Sequence, residues 1–491
     1  MDNDRHHTLG HRISNLTPAA PNELSKSFGP ADNLWLTIKE ALAGSDEREY
    51  TNGPIGRAIL LLAIPMVLEL ALESVFAIVD VFFVSRLGAD AIATVGLTES
   101  LLTIVYAVAS GLAVGATAIV ARRVGEGDRD GAARAGVQAV TLGVLVAVPL
   151  GLVGAWFAGP LLRLMGATPD VLAHSSYAAV VLGFNGVVLT LFLVNAVFRG
   201  AGDAAIAMRV LWIANAVNLC LDPCLIFGLG PFPRLGVTGA AVATTTGRAI
   251  GVLVQLYVLA SGKGRVAVRR AHLRLDPAVM ARMVRLSGGA VVQSLIATSS
   301  WVGLIRILAS FGSDALAGYT IAIRVVVFAL LPSWGLANAA ATLVGQNLGA
   351  RQPERAEASV WRACFYNLLF LGSVGLLFVA LADTVVSGFT SDPGVAPVAV
   401  QGLRIIAGGF VFYSYGFVLT QSFNGAGDTL TPTAINVACF WLGEIPLAYL
   451  LARPVGLGSS GVFWAVAIAF SSVAVVSGFL FRRGAWKLKR V

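Results

Sequence analysis

Three carboxylates, Glu69, Glu73 and Asp80, interrupt the otherwise apolar stretch AIPMVLELALESVFAIVDVFFV (residues 63–84). Wound as an α-helix, they fall within roughly a 40° arc spread over about 16 Å of axis, so they form one stripe. Asn218 and Asp222, one helical turn apart in AVNLCLDPCLIFGL (residues 216–229), share a face of another helix. Pro223 beside them has no N–H for the carbonyl of Leu219, which leaves a further oxygen free. Carboxylate, amide and carbonyl oxygens are hard ligands of the kind that hold a small cation. A carboxyl removed from water is equally a site for a proton. Pro65, one turn before Glu69, likewise deprives the Leu61 carbonyl of its donor and predicts a kink or hinge beneath the stripe, and Pro223 is the matching hinge candidate beside Asp222.

The elements that carry these residues lie in a bilayer. The chain has 491 residues, 56% of them hydrophobic and only 13% charged, with the apolar ones gathered in runs of about twenty. Twelve such runs predict an all-α integral membrane protein with twelve transmembrane helices. An acid at the bilayer centre costs on the order of 2.5–3.5 kcal/mol by insertion scales, so several on one helix predict a polar cavity.

Most of the 35 Lys and Arg fall in segments that share one side if the N-terminus is cytoplasmic, the richest being SGKGRVAVRRAHLRLDPAVMARMVR (residues 261–285). The expected organisation is a cytoplasmic N-terminal tail over 1–56, a first lobe over 57–260, a basic cytoplasmic linker over 261–285, a second lobe over 286–481 and a basic cytoplasmic tail over 482–491. Residues 33–44 have the pattern of a short amphipathic helix on the membrane surface. The formal charge of +8 then reflects topology and anionic headgroups, and nucleic acid is not an expected partner. Cys220, Cys224, Cys364 and Cys439 all fall in spans, where they predict packing without a disulfide or a metal site.

The chain is one half written twice. At an offset of 224, LGADAIATVGL (from Leu87) matches FGSDALAGYTI (from Phe311), and VARRVGEGD (from Val120) matches VGQNLGARQ (from Val344). RGAGD (residues 199–203) matches NGAGD (residues 424–428), and LGVTGAAVA (from Leu235) matches LGSSGVFWA (from Leu457). Six spans per copy preserve orientation, so the halves are parallel repeats forming two six-helix lobes around a central cavity, the layout of rocking-lobe transporters. Within it the first copy carries the acids: Glu69, Glu73, Asp80, Glu99 and Asp222 correspond to Gln293, Ala297, Leu304, Ile323 and Leu447. The second copy keeps Glu444 inside a span, and Asp383 where its third span should reach the outer surface.

In the order and repetition of these motifs, with a first span ending VDVFFVSRLG and paired GAGD turns, the chain resembles the MATE multidrug and toxic-compound extrusion transporters over about residues 55–482. The NLCLDP stretch makes it most similar to the DinF-like branch. The resemblance implies a cation site in the first lobe made by Asp80, Asn218 and Asp222 and completed by a sixth-span threonine, best matched by Thr244 in GAAVATTTG. It also implies export of cationic or amphipathic drugs across a bacterial inner membrane, coupled to H⁺ or Na⁺. Glu69 and Glu73 join the coupling set from helix geometry alone.

No GxxxxGK[ST] phosphate loop, metal-ligand spacing or nucleophile with a placed base occurs, so the chain is read as no enzyme and as needing no cofactor beyond the coupling ion. The expected partners are the bilayer, H⁺ or Na⁺ and a small organic molecule, with the chain acting as a monomer. A flippase for lipid-linked oligosaccharide is the rival; its cavity should be lined by Arg and Lys for phosphate, whereas the predicted spans hold no Lys and only Arg248, Arg324 and Arg404.

Overall fold

The computed structural model describes residues 34–44 and 50–489, and among these every regular element is a helix. A short helix α1 (Leu34–Ala43) precedes the spans, with Leu34, Trp35 and Leu36 exposed as a membrane-surface helix would have them. Positions 1–33 and 45–49 of the predicted tail, and the last two residues of the chain, lie outside the described residues.

In the first half, α2 (Ile55–Ser85), α3 (Ala89–Gly125) and α4 (Arg129–Trp156) are followed by the short α5 (Ala158–Leu164) and α6 (Pro169–Leu172), then α7 (Ser175–Gly183), α8 (Asn185–Ala201), α9 (Ala204–Phe227) and α10 (Val237–Ser261). The second half runs α11 (Pro277–Ala309), α12 (Ser313–Gly349), α13 (Pro353–Ser387), α14 (Ala396–Gly408), α15 (Phe410–Gly425), α16 (Leu430–Asn436), a π-helical stretch Val437–Glu444, α17 (Ile445–Ala452) and α18 (Ser459–Arg482). Ten of these helical runs are long and apolar enough to cross a membrane, and α7 with α8, and α14 with α15, each make one further span bent by 41° and 57°. That gives twelve spans in two lobes of six. The bends fall at corresponding places, around Phe184 and Gly409, so the duplication is carried into backbone geometry.

The lobes meet along a seam that obeys the same repeat. Gly111 of α3 lies against the backbone of Val291 in α11, and its counterpart Gly335 of α12 lies against the backbone of Val67 in α2. A side chain at either glycine would strike main chain, so the two helices of each pair approach as closely as glycine permits. The first span of each half also starts in the other half's core. Ile59, Leu62 and Met66 of α2 pack with Leu343, Val344 and Ala356, while Val279 and Met283 of α11 pack with Ala116, Ile119 and Val266. Pro65 sits where α2 leaves that core for its own lobe, and the helix continues through it.

Both α3 and α12 have 37 residues, about 55 Å at 1.5 Å per residue, so they outreach a hydrocarbon core of about 30 Å. Their projecting ends close the face that carries both described termini. There Gln346 Nε2 donates to the Gly200 carbonyl at 2.9 Å and Thr342 Oγ1 to the Arg199 carbonyl at 3.2 Å. The C-terminal segment reinforces this closure: Trp486 is fully buried and stacked on Phe481 at 4.5 Å, and Arg122 donates to the Lys489 carbonyl at 2.8 Å. The N-terminal segment does the same, with Tyr50 donating to the Gly202 carbonyl at 3.0 Å while Arg355 of α13 donates to the Gly53 carbonyl at 3.0 Å.

Candidate functional site

Asp80 and Asp222 each stand five residues before the end of their helix, about 8 Å below the face opposite the termini. Their carboxyls meet within hydrogen-bonding reach of one another, although neither brings a proton of its own when ionised. Asn218 lies one turn below Asp222 on the same face of α9. With its amide turned so that both ends are satisfied, Nδ2 donates to Asp222 Oδ2 at 3.1 Å and the amide oxygen accepts from Thr244 Oγ1 at 2.9 Å. Of the three consecutive threonines, Thr244 is therefore the one that reaches Asn218. It can do so because Gly239 and Gly247, two turns apart on α10, face the Leu225 and Ala214 carbonyls of α9 with no side chain between.

Asp222 is fully buried and Asn218 nearly so. Oδ1 of Asp80 and Oδ1 of Asp222 are both buried without a hydrogen-bond partner among the described residues. Two carboxylates facing each other with an orphaned oxygen apiece repel, and each unpartnered oxygen has lost its water. A shared proton, or a small cation held by the two carboxylates with the Asn218 amide turned over to present its oxygen, satisfies both. The donor set is all oxygen and fits either.

A cationic side chain stands beside this group. Arg248 of α10 lies 3.4 Å from the Tyr106 hydroxyl and within electrostatic reach of Glu73, Glu99 and Asp80. Glu99, on α3, is exposed rather than packed away. Three acids around one arginine make it the counter-charge of the group.

Glu69 does not join Asp80. It lies 11 residues earlier on α2, about 16 Å along the axis, and its Oε1 accepts from Arg199 Nη1 at 3.1 Å and from Asn195 Nδ2 at 3.2 Å. Asn195 Oδ1 in turn accepts from Gln255 Nε2 at 2.6 Å. Glu69 is thus the centre of a buried ion-pair network between α2 and α8. Glu73 is half-buried between the two groups, within electrostatic reach of both Glu69 and Arg248.

Arg199, Asn195 and Gln255 were missed from sequence, but a signal for Arg199 was present. Glu69 becomes Gln293 in the second copy and Arg199 becomes Asn424, and those two also meet, with Asn424 Nδ2 3.4 Å from Gln293 Oε1. Charge is gained or lost at both positions together, as contact requires. Of the aromatic residues in the spans, Trp212 and Trp334 are exposed and could stack on a flat ligand, whereas Tyr319 is buried against Phe463.

Comparison with known proteins agrees with this architecture. The family model MatE matches residues 65–224 and again 290–450, one match per repeat. The chain is 25% identical over 450 residues to a probable multidrug resistance protein NorM of Thermotoga maritima, covering 89% of this chain and 94% of that protein. It is 27% identical over 409 residues to a protein of Shewanella oneidensis named as an FAD transporter, covering 82% of this chain and 90% of that one. A crystal structure of a MATE protein in the bent conformation superposes with a TM-score of 0.82 at 24% identity, covering 92% of this chain and 97% of that one.

Proposed function

The chain belongs to the MatE family of membrane transporters, and within it we propose that this protein is an H⁺- or Na⁺-coupled exporter of organic, cationic or amphipathic compounds. The observation that carries this reading is the facing pair Asp80 and Asp222, each with a buried oxygen that has no partner among the described residues, bracketed by Asn218 and Thr244. A cation arriving from the face opposite the termini neutralises the pair, removes its repulsion and lets α2 and α9 draw together. Because α2 continues through Pro65 into the core of the second lobe, its movement is felt at the seam, with Pro65 and Pro223 as the points of flexure. Cation entry and outward substrate release then alternate as the cavity between the lobes opens to one face and to the other.

Under the positive-inside rule the face with both termini is the cytoplasmic one, in the inner membrane of a bacterium. A monomer is sufficient for this cycle, since both lobes lie in one chain. Net acidity in the first lobe favours cationic cargo. The Shewanella relative named for FAD transport makes an anionic aromatic dinucleotide worth including in any panel.

The test is efflux of fluorescent organic cations, with FAD alongside, from vesicles whose H⁺ and Na⁺ gradients are collapsed separately. Efflux that survives loss of both gradients would sink the coupled mechanism. Movement of FAD alone would replace the cationic cargo.

A further inference from the structure

The fifth span of the second lobe departs from helical regularity at one place. Val437–Glu444 is wound as a π-helix, directly before Pro446, whereas α9, its counterpart in the first lobe, is α-helical throughout. A π-helical turn inserted in an α-helix redirects the side chains around it, and such turns recur where a side chain has work to do. Here the stretch ends on Glu444.

Glu444 is fully buried, and both of its carboxyl oxygens are without a hydrogen-bond partner among the described residues. Phe440, four residues earlier on the same stretch, and Tyr413 both pack against Phe470, with ring centroids 4.9 Å and 5.2 Å away. The polar groups that face it are few. Ser300 of α11 is in hydrogen-bonding reach, Tyr319 of α12 and Tyr413 of α15 are within electrostatic reach, and no cationic side chain among the described residues acts on it. Ser300 bonds the Ala297 carbonyl at 2.9 Å through its hydroxyl proton, and its oxygen is placed to accept from a protonated Glu444. The Tyr413 hydroxyl is itself buried and has no partner among the described residues.

An ionised carboxylate here has no cation and at most two hydroxyls to replace its water. A metal cation would need several more oxygens than the carboxyl and one serine supply. A proton needs only an acceptor for the O–H that it creates, which is what Ser300 provides. Glu444 stands eight residues before the end of α17, about 12 Å below the same face as Asp80 and Asp222, so it is at a comparable depth.

We propose that Glu444 is a second, proton-only binding site, in the second lobe, loaded and emptied as the lobes rearrange. Its proton passes to and from the carboxyl oxygen with no other bond made or broken. The exchange during transport rests on the exporter reading above; the site itself does not.

Infrared difference spectra of the full-length protein in lipid nanodiscs, recorded between acid and alkaline buffer and with and without ethidium as probe, test both parts. The expected result is a protonated-carboxyl C=O band that disappears on alkalinisation and responds to ethidium. That band should be missing in Glu444→Gln and present but shifted in frequency in Tyr413→Phe, which keeps the carboxyl and the packing. In vesicles, Glu444→Gln should move one proton fewer per ethidium than the parent. If Glu444→Gln retains every such band, or if its band persists through alkalinisation and ethidium binding as a fixed proton would, the proposal is overturned. A titrating Glu444 band in a protein that moves no ethidium supports the site and overturns the exporter reading instead.

Discussion

Glu69 and Arg199 form a buried ion pair at 3.1 Å whose counterparts in the second lobe, Gln293 and Asn424, make the same contact without charge at 3.4 Å. One geometry is therefore held in two chemical versions by one chain. The charged version joins α2 to α8 at the level where α2 passes from one lobe's core to the other, apart from the Asp80 group.

Removing one partner should cost stability and spare coupling. Glu69→Ala leaves the Arg199 guanidinium buried and unpaired, with an expected loss of about 3–5 kcal/mol. The double variant Glu69→Gln with Arg199→Asn copies the second lobe and should recover most of it. Thermal unfolding of the purified proteins measures both. A Glu69→Ala protein of parental stability that has lost its ion dependence would return Glu69 to the coupling site.

At the proposed cation site the opposite split is expected. Asp80→Asn and Asp222→Asn remove the charge but keep the shape, so expression and melting should stay near parental values while gradient-driven efflux is abolished. Gln293→Ala, at the neutral counterpart of Glu69, should leave ion coupling unchanged. Parental efflux from either asparagine variant, in vesicles with an imposed pH or Na⁺ gradient, contradicts the assignment.

Arg248 holds a positive charge against Asp80, Glu73 and Glu99 and so competes with any cation that binds there. Arg248→Gln should tighten binding of the coupling ion, and a tenfold change corresponds to about 1.4 kcal/mol. The half-saturating ion concentration for efflux is the readout. Weaker binding would mean that Arg248 positions the acids through Tyr106 rather than opposing the ion.

Gly125 of α3 abuts the carbonyl of Gln346 in α12, and Gly349 abuts that of Arg122, a reciprocal contact that a two-fold axis between the repeats requires. Gly125→Ala and Gly349→Ala should each push these ends apart and shift the protein toward a state open at the face bearing the termini. Spin-label distances across that face should lengthen by similar amounts in the two variants. A change confined to one of them would break the expected symmetry of the seam.

Much of this was legible in the sequence, because it depends on local physics. Apolar run length fixed the number of spans, the offset of 224 fixed two parallel copies, and helical spacing put Asn218 and Asp222 on one face. Comparison of the copies separated the acid-rich first lobe from the second, which keeps Glu444 inside a span. The stripe of Glu69, Glu73 and Asp80 was also correct as geometry on α2, but helical phase says only that side chains point the same way. Which helix lies opposite each of them is decided by packing. Because α2 crosses from the second lobe's core to its own, Glu69 meets α8 and Arg199 while Asp80 meets α9 and Asp222. The same holds for Glu444. Its isolation among aromatic rings follows from a π-helical turn and from the convergence of α11, α12, α15 and α18, none of which has a period to read along the chain.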